Sequence, residues 1–223
     1  MPSTIEGFKN SNALTAAVKY VLYAQMFVAV ISMVSSYLEY ELLTSFQNGS
    51  YASQEQAIAD GESSDQRQSL IGTMNFIVFI VSGILILRWI HRANYNARQL
   101  GAENMKFTPG WSIGYFFIPI KSFWKPYQAM KEIWKATKNP SDWTSQSTDG
   151  ILPIWWSLWL LSLFLGQAIL RISARAEEIH ELLYLNILSQ VSNAIDIGLA
   201  FVFLRIVKNI SNFQAHNVKG HPN

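Results

Sequence analysis

Runs without charge punctuate the chain. Nineteen uncharged residues separate Lys19 from Glu39, 20 separate Arg67 from Arg88, and 21 separate Asp149 from Arg171. A helix needs about 20 largely apolar residues to cross about 30 Å of hydrocarbon, so each run is long enough to span. Residues 182–204 form a fourth run of 23 whose only charge is Asp196. A fifth, 107–120, has 14 uncharged residues and carries Pro109, Gly110, Gly114 and Pro119. That length suits a re-entrant or interfacial element. The pattern predicts an all-α integral membrane protein with four transmembrane helices at about 18–40, 69–90, 151–171 and 183–207. A short re-entrant or interfacial helix and an amphipathic helix complete the set, in one membrane domain over 1–223.

Local signals set the ends. Ser11 or Asn12 is a suitable cap for the first helix. Its apolar stretch, from Tyr20 to Leu38, exceeds a signal-peptide core and lacks a small-residue cleavage pattern, so it reads as a retained anchor. The connection 41–68 is rich in Gly, Ser, Gln and acids from Gln47 onward and has no apolar period, which predicts a flexible external loop. The connection after Ser173 is made of good helix formers, so spans three and four are expected to extend beyond the bilayer.

Composition narrows the class. Charged residues make up 14% of the chain and apolar ones 50%, against about 25% charged in soluble domains. The absence of Cys excludes disulfides, thiolate metal sites and cysteine nucleophiles. A net charge of +2 is too small to argue for nucleic acid. Distribution matters more than total. Fourteen of the 17 Lys and Arg residues fall in the N-terminal tail, in 88–149 or in the C-terminal tail; Arg67, Arg171 and Arg175 lie elsewhere. Positive charge marks the cytoplasmic side, so both termini are expected there. All eight Trp residues fall in or near the same side and read as a one-sided aromatic belt.

The segment 91–150 is the predicted cytoplasmic interface. It follows the basic turn Arg88-Trp89-Ile90-His91-Arg92, whose guanidinium groups could snorkel to phosphates. Further on, Phe123, Tyr127, Met130 and Trp134 recur at i, i+4, i+7 and i+11 on one helical face, while Lys121, Lys125, Lys131, Lys135 and Lys138 point elsewhere. Ser122 can cap this helix, and Pro126 falls early enough to be tolerated. The pattern is that of a helix lying in the inner interface.

Residues 107–120, FTPGWSIGYFFIPI, followed by Phe123-Trp124-Lys125-Pro126-Tyr127-Gln128, resemble the hallmark of bacterial membrane proteins grouped as domain of unknown function 4328. Arg88-Trp89 with Arg92, Ala93 and Asn96, then Trp155-Trp156 with Trp159, and the ending from Arg205 to Gln214 fit the same pattern, so the resemblance covers roughly 70–214. It implies a multi-span protein of the bacterial cell membrane and lends no activity.

Asp196 is the strongest single candidate for chemistry, because an intramembrane carboxylate is expensive and faces a partner or a wet cavity. At 1.5 Å per residue it lies roughly 16 Å from the inner end of its span, and Gln25, Ser82 and Ser162 fall at similar depth. All four could meet, forming a polar site for a proton, cation or small solute. Alternatively Asp196 holds helices together, with Ser192 and Asn193 one turn earlier. In the interfacial segment, Trp124, Lys125, Pro126, Tyr127 and Trp134 are candidates for binding anionic headgroups or a protein partner. Gly110, Trp111 and Pro119 bound an element whose helix start could meet an anion. Arg92 and Asn96 join these through the resemblance.

His91, His180, His216 and His221 are too scattered to ligate haem or zinc, and no catalytic or phosphate-binding motif is present. No cofactor and no enzymatic activity are expected. Two functions remain. One is a non-enzymatic scaffold or regulatory subunit whose Trp- and Lys-rich cytoplasmic interface engages lipid, a protein partner or a second copy. The alternative is a small permease or channel with Asp196 on its path.

Overall fold

The computed structural model describes residues 7–219; His221 lies outside them. The described chain is helical, with six α-helices: α1 (Asn12–Gln47), α2 (Gln54–Gln99), α3 (Pro109–Gly114), α4 (Lys125–Lys138), α5 (Ile151–Ser173) and α6 (Ile179–Lys219). Two 3₁₀ turns, Tyr115–Phe117 and Lys121–Phe123, lie between α3 and α4. Four helices, α1, α2, α5 and α6, are long and apolar enough to cross a membrane. At 1.5 Å per residue, the 46 residues of α2 run about 69 Å, far beyond the hydrocarbon thickness.

The chain forms two compact units. The first takes the chain through Leu22, Val81–Ser157 and the part from Val202 on; the second takes Tyr23–Ile80 and Leu158–Phe201. They bury different things. The first has a core like that of a water-soluble domain, with Trp89, Ile90, Met130, Ile133, Trp134 and Ile206 almost fully enclosed. The second contributes only Val28, Ala29, Ile71 and Ala200 to the buried apolar residues, and exposes Phe27, Phe76, Phe79 and Phe164. Exposed apolar area on that scale is stable where the solvent is itself apolar.

Charge divides along the same line. The first unit carries fourteen of the 17 cationic side chains and five of the 15 acidic ones, a net of +9; the second carries three and ten, a net of −7.

Three expectations need correction. The stretch from Gln54 is not a flexible loop but the start of α2. It lacks an apolar period because polar contacts hold it: Arg67 donates to Ser35 Oγ and Ser64 Oγ, both at 3.0 Å. Ser122 does not cap α4, which starts at Lys125 with Trp124 preceding it and no side-chain cap. The tryptophans do not form a belt, because four of them, Trp89, Trp134, Trp155 and Trp156, are core residues. Trp155 packs 5.6 Å from Phe203 and 5.2 Å from Trp156, and Trp89 donates its indole N–H to Thr15 Oγ1 at 3.2 Å.

Candidate functional site

In the first unit, the end of α2 is a bracket for other parts of the chain. Asn96 grips the backbone of Lys9 at both polar atoms, accepting its N–H at 3.2 Å and donating to its carbonyl at 2.9 Å. Arg92 donates to the Asn10 carbonyl at 3.3 Å. Arg98 donates to the carbonyls of Met105 at 3.0 Å and Phe107 at 2.9 Å, and Asn94 donates to the Phe107 carbonyl at 2.9 Å. These side chains satisfy backbone groups that would otherwise be stranded. Arg92 and Asn96, candidates for ligand binding, are thereby occupied in architecture. Burial and the nearby cations of Arg92 and Lys9 hold the His91 imidazole below its ordinary range.

Glu132, to which the sequence analysis gave no role, closes the same bracket. Its two carboxylate oxygens accept the backbone N–H groups of Lys106 and Phe107, each at 2.9 Å. The signal was there: it is the one acid in a helix of four lysines. The buried face of α4 is built on Ala129, Ile133, Ala136 and Thr137 as well as Met130 and Trp134. Trp134 meets Phe213 edge to face at 5.6 Å, and Asn217 donates to the Thr137 carbonyl. The stripe read as facing lipid therefore divides: Met130 and Trp134 are covered by the chain itself, while Tyr127 lies half-buried 6.2 Å from Trp156. Pro126, near the helix start, is buried as well.

From α3 to the start of α4 the exposed apolar groups collect. Trp111, Phe117, Ile120, Phe123 and Trp124 are exposed, Phe117 at 72% and Ile120 at 68%. Lys121 is exposed among them, and Lys125 Nζ sits 5.6 Å from the Phe107 ring centroid. The tip is a γ-turn: Pro119 accepts from the Lys121 N–H at 2.7 Å, with Ile120 between them at φ 67° and ψ −55°. The anion site expected at the start of this segment is not formed. Helix α3 has six residues, Thr108 Oγ1 accepts the Trp111 N–H, and the Thr108 carbonyl takes that of Ser112. Gly110 has nothing within 4 Å of a would-be side chain.

In the second unit, Asp196 meets one of its expected companions: Ser162 donates to it at 2.6 Å. Gln25 is half-buried and forms no hydrogen bond to Asp196, and Ser82 belongs to the first unit. Asn193 lies elsewhere, on the wall of an open cleft of about 510 Å³ between the segments that flank the α1–α2 and α5–α6 connections. At the centre of that cleft is Glu39. Its Oε2 accepts from Gln68 Nε2 at 2.9 Å and from Asn186 Nδ2 at 2.7 Å, and Asn186 also donates to the Ser36 carbonyl at 2.8 Å. Asn75 donates to Ser32 Oγ at 2.8 Å nearby. In the sequence Glu39 only marks the end of the first uncharged run; its link to Asn186 is 147 residues long and left no local signal. Beside the cleft, Glu181 accepts the N–H groups of Glu177 and Glu178 at the start of α6, and these bonds, helped by His180, hold its carboxyl below the ordinary range.

Among the described residues, no group of three or more His, Cys, Asp or Glu could hold a metal ion. Both units are built on a multi-pass helical frame. A family model described as a domain of unknown function (DUF4328) matches residues 53–212, and the chain belongs to that family. No curated protein and no solved structure matches it.

Proposed function

We propose that the protein is a non-enzymatic membrane scaffold or accessory subunit whose basic unit faces the cytoplasm and docks on anionic headgroups of the bacterial inner membrane. The observation that carries this is the exposed cluster of Trp111, Phe117, Ile120, Phe123 and Trp124 beside Lys121. Aromatic and aliphatic groups ringed by cations fit a headgroup boundary, where each Lys near an anionic surface adds about 1 kcal/mol. The net +9 of this unit supports the same orientation. The polar side chains around it are engaged with backbone, which favours a structural role over chemistry. A permease path through Asp196 has less support, since that carboxylate is paired with Ser162 and Gln25 does not join them.

The test is lipid retention. Full-length protein purified in mild detergent should carry anionic lipid in native mass spectrometry. Changing Lys121, Lys125 and Lys131 to Gln should lower that retention at least tenfold, with zwitterionic lipid unaffected and Asp196→Asn without effect. Equal retention of anionic lipid by the triple variant would overturn the reading. So would proton or solute flux in liposomes abolished by Asp196→Asn.

A further inference from the structure

The cleft of the second unit shares no lining residue with the surface used above. Its polar wall is acidic: Glu39 and the exposed Asp65 line it, and no Lys, Arg or His does so among the described residues. Glu39 is half-buried and directs both of its hydrogen bonds to one oxygen, Oε2, from neutral amides. Its Oε1 accepts nothing from the described residues, and no cation among them comes within ion-pair distance. Arg67, which precedes the Glu39 partner Gln68, is turned to Ser35 and Ser64. A half-buried carboxylate fixed by two amide donors, with an oxygen to spare, is a receptor for a cation.

The other walls restrict which cation. Leu42, Leu43, Phe46, Ile169, Leu182 and Leu185 supply its apolar lining. Hydroxyl and amide groups, Ser36, Ser189, Ser192 and Asn193 among them, supply polar lining. An ammonium with N–H bonds can use these acceptors, whereas a quaternary ammonium depends on aromatic faces, and Phe46 is the only ring lining the cleft among the described residues. A volume of about 510 Å³ falls in the range of small-ligand pockets. We propose that this cleft binds a primary ammonium group carried on an apolar chain, with the ammonium at Glu39 and the chain against the apolar lining. The ammonium could belong to a free long-chain amine or to an ethanolamine headgroup, which share this chemistry.

Gly72 provides a clean way to close the site. It lines the cleft within α2, and a side chain built there meets no atom within 4 Å. Full-length protein in phosphatidylcholine nanodiscs would be titrated with radiolabelled dodecylamine, with empty nanodiscs as background. Saturable binding of one molecule per chain is expected. Glu39→Gln and Gly72→Phe should each weaken it at least tenfold, and dodecyltrimethylammonium should compete at least tenfold less well than unlabelled dodecylamine. Because Gly72→Phe leaves Glu39 and its amide partners intact, its loss of binding cannot be ascribed to a collapsed carboxylate network; circular dichroism checks that both variants stay helical. Repeating the titration with phosphatidylethanolamine in the discs identifies the source: competition by the lipid assigns the site to the headgroup, and its absence to the free amine. Non-saturable binding, equal binding by folded Gly72→Phe, or equal competition by the quaternary amine would each overturn the proposal.

Discussion

Glu132 and Phe107 are joined by a 2.9 Å hydrogen bond from backbone N–H to carboxylate, buried in the first unit, and the neighbouring Lys106 N–H fills the second oxygen of the same carboxylate. The Phe107 carbonyl in turn accepts from Asn94 and Arg98 on α2. One peptide segment is thus held from both sides, by α4 through its donors and by α2 through its acceptors. The signature stretch that begins at Phe107 starts from a fixed point.

Removing the carboxylate should loosen that point. Glu132→Ala strands the buried Phe107 N–H, and an orphaned buried donor costs about 1–3 kcal/mol. Thermal unfolding in detergent should show a loss of about 2–3 kcal/mol. Glu132→Gln, which keeps one acceptor oxygen, should lose roughly half as much. An Ala variant as stable as the parent would show that the clamp does not order the segment.

How much of this was legible in the sequence follows from the kind of force involved. The spans were, because lipid demands long uncharged runs: the third was expected at 151–171 and α5 is Ile151–Ser173. The length of α2 was not, since Arg67, braced by Ser64, and Gln68 hold its N-terminal part against α1, and polar contacts leave no apolar period. Ser162 and Asp196 were placed at matching depth by helical rise, and they do meet. Gln25 had the same depth, but depth alone does not say which way a side chain turns about the helix axis. The importance of Glu39 depends on a partner far along the chain, which no local pattern reveals.

Trp134 separates packing from hydrogen bonding. Its ring is fully enclosed, yet its indole N–H has no hydrogen-bond partner among the described residues. Trp134→Phe removes the unsatisfied donor along with part of the ring, and the two effects oppose each other. The variant should fall within about 1 kcal/mol of the parent, whereas Trp134→Ala, which leaves a cavity beside Phe213, should lose about 3–5 kcal/mol. A large loss in the Phe variant, measured by the same unfolding assay, would mean that the N–H is satisfied after all.

Acid should act on the start of α6. Glu181 has its carboxyl held below the ordinary range, first by the N–H groups of Glu177 and Glu178 and then by His180. A depressed carboxylate stabilises the fold above its unfolded pKa, about 4.3, and that contribution fades as pH falls through the folded value. Hydrogen exchange at the Glu177 and Glu178 amides, corrected for intrinsic rates, should therefore lose protection as pH falls below the ordinary carboxylate range. Glu181→Gln should show weak protection there at every pH, and persistence of the acid dependence in that variant would assign it to another group.

Ile120 gives two measurements that should move in opposite directions. As the centre of a γ-turn it holds a positive φ that a β-branched side chain adopts at a cost, on the order of 1–3 kcal/mol. The turn persists because both flanks are anchored, by the Ser122 N–H bond to Ile118 on one side and the indole N–H of Trp156 bonded to the Phe123 carbonyl on the other. Ile120→Gly relieves the strain but gives the unfolded chain more freedom, a loss of about 0.5–1 kcal/mol. The net should be a gain of up to about 2.5 kcal/mol in detergent. The same change deletes one of the most exposed apolar side chains of the cluster. Quenching of tryptophan fluorescence by brominated anionic lipid should therefore fall, because Trp111 and Trp124 sit in that cluster and lose an anchor. A variant that gains stability and keeps full quenching would remove Ile120 from the lipid contact, and one that loses stability would show that the turn carries no strain.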